Sequence, residues 1–352
     1  MAFKIMKASD VGGRYQIWSV QYLRAIAAMA VIAFHLLPGI PLMWIGEYGV
    51  DLFFVISGFM MAIMTIGREI SPTRFLLDRI TRVVPLYWLA TVLTVVGVLA
   101  GVEIFAASAN LHLAARSLLF IPTYGERGHI WPTLYLGWTL NYEIFFYAIY
   151  AVCLLAPRGW KIPALSAALI ALFLLGLLLE PAGAVPRTWT DSLLLEFVAG
   201  AWLGTIAGPR GDRFTPARMA LLMLGIVLFM LAASLASPRL LFGTASALIL
   251  AAALLAERQG VVPRIEPLKR LGDASYSIYL FQNFAFAAVA QTLAFASRHT
   301  GLRLDLVRFT APLGFAAAVG LGYAVSLLVE RPTTAWLRKK AGRVFHLKVR
   351  LS

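Results

Sequence analysis

The chain has 352 residues, of which 60% are apolar and only 14% charged, with a mean hydropathy of +0.79. Soluble domains carry about 25% charged residues, so a chain of this composition cannot cover itself with polar surface in water. That excludes a soluble or a disordered protein and leaves a polytopic bundle of membrane helices. The formal net charge of +14 fits basic residues gathered on cytoplasmic loops and calls for no nucleic-acid partner. The one cysteine, Cys153, excludes an intramolecular disulfide framework and a multi-cysteine metal site.

Ten apolar runs span or nearly span a bilayer, over residues 18–37, 48–66, 84–103, 134–156, 162–180, 190–207, 217–236, 239–256, 274–296 and 309–330. The expected fold is therefore all-α, a polytopic transmembrane bundle of about ten spans. Lys4, Lys7 and Arg14 before the first run resemble a signal peptide. Arg24 and His35 inside that run, and nine further runs, mark it instead as a retained helix. With the N-terminus inside, inner segments hold 23 Lys and Arg and outer loops seven. Both termini are then expected in the cytoplasm. A basic N-terminus (1–17) precedes the membrane domain (18–330), and a basic tail (331–352) follows it, placed on the anionic inner leaflet. Residues 67–83 form a basic inner loop. Residues 104–133, with His112, His129 and Trp131, form the longest outer loop, long enough to cover an outer cavity.

Charges inside a bilayer cost several kcal/mol by most scales, so each asks for a partner or a function. Arg24 and His35 are eleven residues apart, which sets them on one helix face about 16 Å apart along the axis. The expected orientation puts Arg24 in the inner half and His35 near the outer end. Their plainer roles are snorkelling for Arg24 and an interfacial histidine for His35. Asp51, opening the second run, falls near the level of His35. A carboxylate there suits orientation of a general-base imidazole, and a water-facing interfacial role suits it equally. Glu143 lies too deep to snorkel and needs a neutralising partner, an arginine being the obvious type. It reads equally as catalytic or structural, while Glu196 reads as structural. Arg79 and Arg82, three apart before Pro85, share a face and form a fork for phosphates, although the positive-inside rule alone also places arginines there. No metal-ligand cluster, Walker loop or Gly-x-Ser-x-Gly elbow is present.

These pieces, in this order, resemble the acyltransferase-3 family of integral membrane enzymes. They are Tyr22–Ala28 with His35, Gly49–Phe59, Arg79–Trp88, Trp138–Tyr147, Ser275–Leu280 and Glu330-Arg331-Pro332. Within the family the likeness is to bacterial exopolysaccharide acetyltransferases of the succinoglycan type, without the extra soluble hydrolase-like domain of some members. The resemblance implies a multi-pass protein of the bacterial inner membrane. It implies acyl-CoA, most commonly acetyl-CoA, as co-substrate, with no permanently bound cofactor. The acceptor it implies is a hydroxyl of an extracytoplasmic polysaccharide or lipid-linked glycan. It assigns His35, Asp51 and Glu143 to catalysis, and Arg24, Arg79, Arg82, Tyr276 and Glu330 to the donor. Many members carry a histidine after the Tyr-x-Leu of the ninth run, where this chain has Phe281-Gln282. An amide cannot serve as a base at neutral pH, which leaves His35 as the clearest base. A transporter or flippase for a sugar-containing substrate is the competing reading, since intramembrane Arg, His, Asp and Glu would serve it too. No internal repeat favours it.

Overall fold

The computed structural model describes residues 17–350 apart from 38, 106, 126–127, 208–214 and 301–305. Among the described residues the chain is all-helical, with no strand. The first half of the chain gives α1 (Trp18–Leu36), α2 (Gly49–Thr65), α3 (Pro72–Leu99), α4 (Leu111–Leu118), α5 (Trp138–Cys153), α6 (Lys161–Leu179) and α7 (Ala184–Trp189). The second gives α8 (Leu194–Ala207), α9 (Pro216–Ser234), α10 (Leu240–Gln259), α11 (Glu266–Asp273), α12 (Ser275–Thr300), α13 (Leu306–Val325) and α14 (Arg331–Arg350). Tight 3-10 turns at Met43–Tyr48 and Tyr135–Gly137 lead into α2 and α5, and a π-helical turn at Ser326–Glu330 joins α13 to α14.

Among the described residues, eight helical stretches are long and apolar enough to cross a membrane. They are α1, α2 with its leading turn, α3, α6, α9, α10, α12, and α13 running on into α14. Of the ten expected runs, the fourth and sixth form α5 and α8, with 16 and 14 residues. These reach about 24 and 21 Å at 1.5 Å per residue, short of a hydrocarbon core of about 30 Å. The third run is longer than expected. It starts at Pro72, so Arg79 and Arg82 sit within a 28-residue helix and not in a loop. Pro72 suits a first helical position, and Pro85 is carried inside the helix at the loss of one backbone hydrogen bond. Local chemistry fixes other boundaries. The Thr215 hydroxyl accepts from the Arg218 amide ahead of α9, with Pro216 at its first position. Gly260, at φ +73°, closes α10 in the left-handed region.

The chain divides into two compact units. The first comprises Met1–Ala27, Tyr48–Ser71 and Ala148–Asp273. Its core gathers Val55, Phe59, Leu195, Leu203, Met230 and Leu250 from four helices. The closest approach there is α2 against α8. A Cβ on Gly200 would stand 1.8 Å from the Val55 carbonyl oxygen, and one on Gly58 would stand 2.0 Å from that of Phe197. Gly204 follows Gly200 by four residues on the same face, the small-residue spacing that lets membrane helices touch backbone to backbone. The second unit comprises Ala28–Glu47, Pro72–Tyr147 and Ala274–Ser352. In it, α12 packs along α13 with Gly322 seated on the backbone of Ile278, and the buried Tyr87 ring lies on Gly137.

The α2–α8 contact has a direct consequence for stability. Gly200→Ala forces two backbones apart, at a cost of about 1–3 kcal/mol, and Gly200→Leu forces them further. Both variants should melt several degrees below the parent in detergent. Gly225→Ala, where a Cβ meets nothing within 4 Å, should melt at or slightly above it.

Candidate active site

His35 ends α1 and belongs to the second unit. Its Nδ1 lies 2.9 Å from the Val31 carbonyl oxygen, one turn back. A carbonyl only accepts, so Nδ1 carries a hydrogen and donates it, and in the neutral ring the lone pair is on Nε2. That Nε2 is buried. The Gln282 side chain of α12 lies in hydrogen-bonding reach of the ring. Its amide nitrogen donates to the Tyr279 carbonyl at 3.0 Å, and its Oε1 is buried.

An aromatic series leads to the same imidazole from the segment before α5. His129 stacks on Trp131 at 4.3 Å, Trp131 meets Tyr135 edge-on at 4.7 Å, and Tyr135 meets His35 edge-on at 5.8 Å. The expected covering loop thus contains α4 and an aromatic path whose exposed end is His129.

Arg79, also in the second unit, is only 4% exposed. Its Nε is buried without an acceptor, and no ion pair reaches it among the described residues. Arg82 and Arg338 lie close enough to add like charge, Asp78 close enough to add an opposite one, and the Tyr147 side chain lies nearby. The Tyr147 hydroxyl donates a very short hydrogen bond to Glu143, one turn earlier on α5. Glu143, expected to face an arginine, therefore bonds first to a tyrosine, and Tyr147 is what lies near Arg79.

The two other residues assigned to the donor are engaged by protein groups. The Tyr276 hydroxyl donates to the Val83 carbonyl at 2.8 Å, tying α12 to α3 one turn beyond Arg79. The Glu330 carboxylate accepts from Ser277 at 2.6 Å and from Ser326 at 3.1 Å, pinning the π-helical turn to α12. Both brace the helices that carry the arginines.

Asp51 and Arg24 lie in the first unit. Asp51, expected from its position to orient the His35 ring, has a different partner. The orienting acceptor is the Val31 carbonyl, and the fully buried Asp51 carboxylate instead accepts from Arg239 at 3.2 Å. The fully buried Glu196 carboxyl lies against it. The Arg239 guanidinium is further placed over the Tyr48 ring at 5.5 Å, with Phe242 stacked on that ring at 3.4 Å. Arg24 is half-buried on α1. Sequence reasoning missed Arg239, which stands 188 residues from Asp51 and reads as an ordinary loop charge. It also missed Tyr147, Tyr135 and Ser326. Ser326 and Tyr147 carry a readable signal, because each sits four residues from the glutamate it serves. Among the described residues no group of three or more His, Cys, Asp or Glu gathers to hold a metal ion.

The acyltransferase-3 family model, described as an acyltransferase domain, matches residues 17–331. The exopolysaccharide production protein ExoZ of Rhizobium meliloti (strain 1021) is 38% identical over 298 residues, which is 82% of this chain and 89% of that protein. No solved structure gives a significant match. The chain belongs to the acyltransferase-3 family and is a membrane acyltransferase.

The Asp51–Arg239 pair tests as structure. Arg239→Leu leaves a buried carboxylate without its cation, a loss of about 3–5 kcal/mol for a pair of this kind. The melting temperature should fall sharply. Adding Asp51→Asn should recover part of that loss, so the two effects are less than additive. Fully additive losses would show that the pair contributes little.

Proposed function

We propose that this acyltransferase moves an acyl group, most commonly acetyl, from cytoplasmic acyl-CoA to a hydroxyl of an extracytoplasmic or lipid-linked polysaccharide, in the bacterial inner membrane. The observation that carries the reading is the state of His35. One nitrogen is committed to a backbone carbonyl and the other is buried beside the Gln282 side chain. A general base must present its lone-pair nitrogen to a hydroxyl. The attacking oxygen forms its bond to the thioester carbonyl carbon as the hydroxyl proton passes to Nε2. Collapse of the tetrahedral adduct breaks the C–S bond, and the imidazolium returns the proton to the departing thiolate. His35 ends the cycle neutral.

Arg79 supports a polyanionic donor. A buried guanidinium whose charged neighbours are two arginines and a single carboxylate, Asp78, sits in excess positive charge and is costly until an anion completes it. The phosphates of CoA supply that charge, and the planar fork of arginine suits phosphate. The loop charge bias supports a cytoplasmic location for this cluster. Acceptance of a sugar is supported by the aromatic path to His35 and by the likeness to an exopolysaccharide production protein. Tyr147, bonded to Glu143 within α5, places its side chain near Arg79.

The two halves of the reading separate experimentally. Replacing Arg79 and Arg82 together by Gln should raise the Kd for acetyl-CoA at least about tenfold in purified protein, with normal membrane insertion. Unchanged binding would return both residues to a topological role. His35→Gln keeps size and hydrogen bonding but cannot take the proton. Acetyl-ester formation should fall by about 10²–10⁴, with acetyl-CoA affinity held within twofold. Near-normal turnover in that variant would sink the base mechanism.

A further inference from the structure

Charge alone would lay the segment beyond Glu330 along the inner leaflet. Within the second unit α14 also packs against α3, and neighbouring residues of α12 fix that pairing. The Tyr276 hydroxyl donates to the Val83 carbonyl of α3, and the Ser277 hydroxyl donates to Glu330 at the foot of α14. Further along α14, Arg338 is half-buried, with its Nε 4.0 Å from Oδ1 of Asp78 on α3. The adjacent Lys339 and Lys340 are exposed, and Lys340 lies on the Trp336 ring at 4.0 Å. Asp78 directly precedes the buried Arg79, and Arg82 lies one turn after both. Three guanidiniums and one carboxylate therefore gather where α3 and α14 meet, and they leave two positive charges over. At 4.0 Å, with Asp78 half-exposed, the Asp78–Arg338 pair is a weak one.

We propose that Arg338 is a further donor-binding residue, joining Arg79 and Arg82 around a phosphate of acyl-CoA, and that Asp78 holds its guanidinium in place until that phosphate displaces the carboxylate. This inference rests on the acyl-transfer reading above and deepens its donor half. The phosphates of CoA carry charge of the size left over, about −1.5 to −2 for a monoester, and their oxygens suit the planar fork of arginine. Asp78 gives way at little cost, because it is half-exposed and water receives it. Two effects of opposite sign follow. Loss of the Arg338 guanidinium removes a charge-assisted contact with the donor. Loss of the Asp78 charge removes a competitor for that guanidinium and a repulsion toward the phosphate. An ion pair that only held the helices together would give both changes the same sign.

The experiment measures acetyl-CoA binding to the full chain in phosphatidylcholine nanodiscs at low salt. Arg338→Gln should raise Kd by about tenfold or more. Asp78→Asn should lower it by about threefold or more. Lys339→Gln makes the same charge change at an exposed position of α14 and should leave Kd within twofold. S-acetylpantetheine, which has no phosphate, should bind the parent and Arg338→Gln alike. The proposal is overturned if Arg338→Gln binds acetyl-CoA within twofold of the parent, or if Asp78→Asn does not bind it more tightly. Equal weakening toward S-acetylpantetheine would also overturn it, by showing that the substitution merely displaces the helices. So would an effect of Arg338→Gln seen only in phosphatidylglycerol discs, which would assign the cluster to a lipid headgroup. Should Arg338→Gln fail to fold, the sign of the Asp78→Asn effect still decides. Absence of acetyl-CoA binding by the parent protein would instead defeat the donor reading, and this inference with it.

Discussion

A polar group placed among apolar helices has no water to fall back on, so the protein must satisfy it or leave it for a ligand. That constraint sorts the buried polar residues of this chain into two kinds. Glu330 takes hydrogen bonds from two serines, Tyr276 is tied to a backbone carbonyl, and Asp51 is met by Arg239. Each has its partner within its own unit, and each holds helices together. Other buried atoms have no such bond, among them both Glu196 oxygens in the first unit and Arg79 Nε in the second. In the proposed reaction the Arg79 guanidinium is the cation that phosphate completes.

The first unit shows the same constraint acting on backbone. Gly58 and Gly200 allow α2 and α8 to approach until carbonyl oxygens sit where side chains would start. At 14 residues, α8 is too short to be read confidently as a span from length alone. Its burial comes from contact with its neighbours, since Leu194 to Gly200 are all buried. Short helices of this kind gain stability from close packing, because helices in lipid gain little from hydrophobicity alone.

Much of this was legible in the sequence, and the failures have physical causes. Apolar runs located the helices, and the paired arginines drew attention to Arg79, which the structure buries. The place of Arg79 was misread because charge and the following Pro85 both signal a loop. In the structure α3 carries the proline internally and buries the arginine. The partner of Asp51 was invisible, because contact between residues 188 apart leaves no local trace. The orienting partner of His35 was by contrast a matter of local geometry. A histidine near a helix end lies over the carbonyl one turn back, and here that carbonyl is Val31.

The amide at position 282 acquires its meaning from these surroundings. The groups about the His35 ring are the Val31 carbonyl, Phe34, Tyr135 and Gln282. None of these exchanges a proton near neutrality. A proton lifted from an acceptor hydroxyl onto Nε2 has no second side chain among them to pass to. In the proposed reaction it stays on the imidazole until the thiolate leaves and takes it back. A second imidazole at position 282 would offer another resting place for the proton and a variable hydrogen-bond pattern. The amide offers neither. In the proposed reaction α1 carries the base, and α12 sets beside it an amide that does not compete for its proton.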